Sequence, residues 1–159
     1  MKKLSLLAIL IIAGVFSLFA QSETEIKQEQ EAIQKVIQEA YVDGLINEGD
    51  FEKIDNGFHP GFALLGIGKG NAMWNYPIYS WKESVKNDLK TGKIPTKDDE
   101  KVTIKFLNVD VTGSASVAKI EFYVGEKLTY IDYLSLYKFE DGWKIVSKIF
   151  YRFPEEEEK

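Results

Sequence analysis

From residue 101 to residue 153 apolar and polar side chains alternate with a period of two, interrupted only by TGS (112–114), GE (125–126) and EDG (140–142). Breaks this short leave no room for a crossover, which needs a dozen residues or more. Strands at about 101–111, 115–124, 127–139 and 143–153 are therefore expected to form an antiparallel meander. Pairing across Gly125-Glu126 sets Lys119 opposite Asp132 and Ile120 opposite Ile131. One face then carries Ala118, Ile120, Phe122, Ile131, Tyr133 and Tyr137, and the other Val117, Lys119, Glu121, Tyr130, Asp132, Leu134 and Leu136. A three-residue turn at 140–142 adds Trp143, Ile145, Ser147, Ile149 and Tyr151 to the first face. A two-residue turn would swap the faces of the last strand, because a slip of one residue inverts every side chain.

Ahead of this block the period is helical. Ile26, Ile33, Val36, Ile37, Ala40, Tyr41 and Leu45 mark one helix over 24–47, with Ser22 and Glu25 as its capping box and Gly49 as its stop. Asp50 caps a short helix with Phe51 and Ile54, FALLG (62–66) reads as a buried strand, and a third helix opens at Pro77. That helix aligns Ile78, Trp81, Val85 and Leu89 and ends at Gly92. Helices followed by a curved antiparallel sheet make an α+β chain. Three helices cannot touch such a sheet everywhere, so a cavity between the layers is expected.

Lys2 and Lys3 precede an apolar run over 4–19 that ends at Ala20, the pattern of a signal peptide over 1–20. An uncleaved anchor is the alternative, and without cysteine there is no lipid attachment site. Cleavage removes two lysines and leaves 18 basic against 25 acidic side chains. That acidic balance argues against nucleic acid as a partner, since its binding needs a basic footprint. The domain is expected over 21–153, followed by an acidic disordered tail, PEEEEK (154–159). The expected location is the periplasm or the extracellular space, with no stable membrane anchoring after cleavage.

Two stretches, YVDGLINEGDFEKIDNGFHPGFALLG (41–66) and VAKIEFYVGEKLTYIDYLSLYKFEDGWKIVSKIFYRF (117–153), resemble the nuclear transport factor 2-like superfamily. Within it they are most similar to exported bacterial proteins grouped as "putative lumazine-binding". The resemblance implies a cone-like curved antiparallel sheet covered by three N-terminal helices, and a flat heteroaromatic ligand. Ketosteroid isomerase-like members of the superfamily carry a tyrosine on the first helix, a base acid at the end of the first strand and a buried acid in the sheet. Tyr41 matches the first. Leu65-Gly66 stands where the base would be, and the apolar sheet face assigned above contains no acid.

GIGKG (66–70) fits neither nucleotide-binding glycine pattern, because no helix follows it directly; it is expected to fold across the open end of the cone. His59 has two readings: a packed residue bonded to nearby backbone, or a general base. With one histidine and no cysteine, no metal site is expected, and no cofactor. Trp74 and Tyr151 have two readings, as aromatic lining of the cavity mouth or as simple lid packing. The expected ligand-binding set is Tyr41, His59, Trp74, Trp81, Phe122, Tyr133, Ser147 and Tyr151, around a small aromatic or apolar ligand. The function expected is an exported binding or accessory module with no catalytic constellation. The alternatives are a lyase or isomerase using His59 and Tyr41, and a structural dimerisation module. A homodimer is expected through the sheet face bearing Val117, Leu134 and Leu136.

Overall fold

The computed structural model describes residues 22–154; the expected signal peptide and all but the first residue of the acidic tail lie outside them. Helix α1 (Glu23–Val36) begins at the reciprocal Ser22–Glu25 capping box and continues without a break into a wider, π-wound segment, Ile37–Glu48. Gly49 closes that segment at φ 71°, its N–H donating to the Gly44 carbonyl. Asp50 then accepts from the N–H groups of Glu52 and Lys53 to start α2 (Phe51–Gly57). A side chain at Gly57 would collide with Ala40, so glycine is what lets α2 lie directly on the π-wound segment.

Strand β1 (Phe58–Ile67) follows, then β2 (Met73–Pro77), α3 (Ile78–Thr91), β3 (Val102–Thr112), β4 (Ala115–Val124), β5 (Lys127–Phe139) and β6 (Gly142–Arg152). They form one six-stranded sheet in the order β2-β1-β6-β5-β4-β3. The four C-terminal strands are the expected antiparallel meander. The sheet as a whole is mixed, because β1 lies parallel to β6. The glycine-rich stretch is the turn of a β1–β2 hairpin, with Leu65 opposite Asn75 and Gly66 opposite Trp74. It therefore lengthens the sheet's edge rather than folding across the cone as a loop.

The face assignment is where sequence and structure part. The β4–β5 hairpin starts in the expected register, Val124 opposite Lys127, but Thr129 is an extra residue and the pairing shifts between Phe122 and Tyr123. Beyond that bulge Ile120 faces Asp132, and Lys119 faces Tyr133. The β5–β6 turn holds two residues, with Phe139 opposite Gly142, and a second bulge at Val146 restores the pairing of Tyr133 with Ile149 and Ile131 with Tyr151. A bulge puts two residues opposite one and so reverses the parity of everything after it. The helix-facing side therefore carries Ala118, Ile120, Phe122, Tyr130, Asp132, Leu134, Leu136, Trp143, Ile145, Lys148 and Phe150. Ile131, Tyr133, Tyr137, Ile149 and Tyr151 lie on the other side.

Leu134 and Leu136, expected on the outer face, belong to the core with Ile33, Ile37, Leu45, Ile54, Phe62 and Ile120. Polar clamps join the helical layer to the sheet. Asn47 donates to the Val102 carbonyl at 2.9 Å and accepts from the Val102 N–H at 3.0 Å, copying a strand's pairing at the start of β3. Glu29 accepts from Trp143 Nε1 at 2.6 Å and Gln30 donates to the Val109 carbonyl at 2.7 Å.

Candidate functional site

Between the helices and the sheet opens a cavity of about 330 Å3 lined by Tyr41, Ile46, Leu64, Trp81, Phe122, Tyr130, Lys148, Phe150 and Arg152. This volume is within the range of small-molecule sites. Each wall has a separate origin. The π-wound segment supplies Tyr41 and Ile46, α3 supplies Trp81, and alternate residues of β4, β5 and β6 supply Phe122, Tyr130, Lys148, Phe150 and Arg152.

Its polar centre is a buried triad. Lys148 Nζ donates to Tyr41 Oη and to Asp132 Oδ2, both at 2.6 Å. The Tyr41 hydroxyl donates to the same carboxylate oxygen at 2.8 Å. Asp132 is 0% exposed and Lys148 5%. The second carboxylate oxygen, Asp132 Oδ1, has no hydrogen-bond partner among the described residues. Four rings surround the ammonium group, Tyr41 at 4.8 Å, Phe150 at 5.4 Å, Phe122 at 5.7 Å and Tyr130 at 5.9 Å. Rings at such distances offer their negative faces to a cation that has lost most of its water.

Burial dominates the protonation of this centre. It drives the Lys148 pKa down against the opposing pull of Asp132. It drives the Tyr41 phenol well above its usual range, with the Asp132 charge and hydrogen bond adding to the shift. The outcome is a desolvated Lys148 nitrogen and a protonated phenol held against one carboxyl group.

The expected site residues separate into two groups. Tyr41, Trp81 and Phe122 meet at the cavity: Tyr41 lies 6.1 Å from Trp81 and 5.8 Å from Phe122, ring centre to ring centre. Trp74 packs over Gly66 and stands 6.1 Å from Phe150, beside the lining rather than in it. Tyr133 and Tyr151 are on the outer sheet face, and Ser147 shares that face with its partner Ser135. The two bulges are the reason.

His59 lies outside the cavity wall. Its ring stacks on Phe139 at 4.8 Å and its Nδ1 accepts the Gly61 N–H at 3.0 Å. Neighbouring strand residues point to opposite sides, so while Phe58 meets Tyr41 at 6.4 Å, His59 turns away from it. The pairing of His59 with Tyr41 as joint catalytic residues is thereby overturned. The statement that the apolar sheet face holds no acid is also corrected, since Asp132 is buried there and bonded to Tyr41.

Sequence reading missed Asp132, Lys148, Tyr130 and Phe150. One signal was present. Leu134 and Leu136 share parity with Asp132, against Ile131 alone among the aliphatic residues beyond Thr129, whereas tyrosine suits either face of a sheet. Among the described residues no group of histidine, aspartate and glutamate could hold a metal ion. None of their helices is long and apolar enough to cross a membrane.

Solved structures with this fold include a nuclear transport factor 2-like protein of unknown function from Shewanella baltica OS155, 22% identical, with a TM-score of 0.65 over 86% of this chain and all of that one. A putative dehydratase of the same superfamily from Streptomyces avermitilis is 14% identical, with a TM-score of 0.54 over 81% of this chain and 99% of that one. The CaMKII hub of S. rosetta is 15% identical, with a TM-score of 0.52 over 78% and 96%. At such identities the likeness concerns the fold. No curated protein matches the chain. The family model described as "Putative lumazine-binding" matches residues 28–151, and with most of its length so matched the chain belongs to that family, on a nuclear transport factor 2-like fold.

Proposed function

We propose that the protein is an exported module that binds a flat, ring-bearing small molecule in the cavity between helices and sheet. The observation that carries this reading is the cavity itself, about 330 Å3 of aromatic wall around a buried lysine. Trp81, Phe122, Tyr130 and Phe150 offer ring faces and edges to a planar ligand. Lys148 donates to an acceptor group on it, such as a ring carbonyl, which agrees with the heteroaromatic ligand in the family's description. Export rests on Lys2 and Lys3 ahead of the apolar run over 4–19.

Native mass spectrometry of protein from its own host, followed by titration with lumazine under tryptophan emission, tests the reading. The expected result is a saturable change that Trp81→Ala weakens by about tenfold, the loss of one aromatic contact of roughly 1.4 kcal/mol. If no compound copurifies and no heteroaromatic ligand changes the emission saturably, the binding reading fails.

We also propose a homodimer through the outer sheet face. Its support is the exposure there of Ile149 (52%) and Tyr151 (56%) beside Val117, Tyr133 and Tyr137, a contiguous apolar surface of the kind that marks interaction sites. Ile149→Lys should lower the sedimentation coefficient without changing the fold. An unchanged coefficient in a protein that is dimeric would assign the contact to another face.

A further inference from the structure

The triad has more chemistry than a binding pocket requires. An ammonium group carries three donors, and on Lys148 two are taken by Tyr41 Oη and Asp132 Oδ2, at 2.6 Å each. Lys148 and Tyr41 both line the cavity, so the amine and the phenol stand at its wall. Lysines used as nucleophiles toward carbonyl groups are desolvated ones in apolar pockets with a proton acceptor at hand. Here the pocket is a four-ring cage and the acceptor is a fully buried carboxylate.

We propose that Lys148 captures small aromatic aldehydes or ketones as an imine inside this cavity. The inference rests on the cavity being accessible to ligands, as the binding reading holds, and adds a covalent step to it. The ammonium first passes a proton to Asp132. The freed lone pair attacks the carbonyl carbon, forming the C–N bond while the C=O π pair moves onto oxygen. A proton moves from nitrogen to that oxygen and gives the carbinolamine. Asp132 then returns its proton to the hydroxyl, the C–O bond breaks, and water leaves. The sum is ammonium plus carbonyl compound to iminium plus water, with no net oxidation or reduction. Burial, which lowers the Lys148 pKa, makes the first transfer easier than for a surface lysine. Tyr41, already bonded to both partners, can donate to the carbonyl oxygen as charge builds there.

The probe is benzaldehyde with sodium cyanoborohydride, a borohydride mild enough to spare the free aldehyde at neutral pH, used on the full-length protein and read by intact mass and peptide mapping. Hydride from the reagent reduces the imine to a stable benzyl-lysine. The expected result is one benzyl group on Lys148, gained at least about tenfold faster than on exposed Lys69 or Lys90. Excess benzyl alcohol, which has the ring without the carbonyl, should slow it, and no adduct should persist if borohydride is left out. If benzyl alcohol changes tryptophan emission saturably while Lys148 stays unmodified, the covalent inference is overturned and the binding reading stands. If neither compound acts at the cavity, the covalent inference is overturned, and the lumazine titration decides the binding reading separately.

Discussion

Two lysines of one sheet, on the strands that flank β5, meet opposite fates. Lys119 on β4 lies on the outer face, with its ammonium 5.5 Å from the Tyr133 ring. Lys148 on β6 lies on the inner face among four rings, tied to Asp132 and Tyr41. Both are aromatic-lysine contacts, and their access to water sets their energetics apart. Outside, solvent screens the charge and the interaction is worth little. Inside, the unpaired charge would be so costly that the partners become obligatory. The Lys105–Glu121 pair makes the same point, at 3.7 Å with the lysine 70% exposed. A buried ion pair of this kind is weak evidence of selection for stability, because an apolar pair of similar volume packs as well. Its presence facing a cavity is better understood through the chemistry it offers to a ligand.

The contrast can be broken most violently at Leu134. This residue is fully buried beside Asp132, so Leu134→Glu would force a second carboxylate into the core. We expect a loss above about 4 kcal/mol, hence no folded protein by circular dichroism at ambient temperature. A folded Leu134→Glu protein would mean that the outer and inner faces are the reverse of those described.

Lys148→Met comes next. It keeps the side chain's bulk but leaves Asp132 charged and buried, and should cost about 3–5 kcal/mol in urea unfolding. The double variant Lys148→Met/Asp132→Leu should recover most of that loss. If the double variant is as unstable as the single one, the pair is not a closed electrostatic unit and the comparison with Lys119 loses its basis.

An intermediate case sharpens the comparison through pH. Glu29 is partly exposed, and hydrogen bonds from Lys138 and then Trp143 hold its carboxyl below the usual glutamate range. A lowered folded-state pKa means that the unfolded chain takes up the proton first as acid is added. Stability from Glu29 is therefore complete above the ordinary glutamate range and disappears as the pH falls through its lowered folded value. Glu29→Gln should flatten the melting-temperature profile over that acidic window and leave its neutral-to-alkaline part parallel to wild type. An unchanged acid limb would show that the Lys138 and Trp143 bonds do not persist in solution.

The smallest effect belongs to Lys119→Ala, which should change stability by less than about 1 kcal/mol, and by less still in high salt. A larger loss would reveal that this lysine is covered, as it would be at the centre of a subunit contact.

Much of this molecule was legible in its sequence, wherever local chemistry decides. The Ser22–Glu25 box, the Asp50 cap, the stops at Gly49 and Gly92 and the places of the meander's turns, though not the two-residue length of the last, depend on residues within a few positions of one another. Tyr41, Trp81 and Phe122 were legible as inward residues because their elements run without interruption up to them. Tertiary structure alone decided the inner face of β5 and β6. Thr129 and Val146 each add one residue to a ladder, and nothing in an alternating pattern announces the insertion. Each bulge reverses the parity of the rest of its strand, so the pair of insertions moved Asp132 and Lys148 inward and Tyr133, Ile149 and Tyr151 outward. A charged residue in an alternating strand is expected to face water, and that expectation holds only while no partner waits across the layer. Here the partners come from three distant segments, the π-wound helix, β5 and β6. Only folding brings Tyr41, Asp132 and Lys148 within hydrogen-bonding distance and makes their burial affordable to the fold.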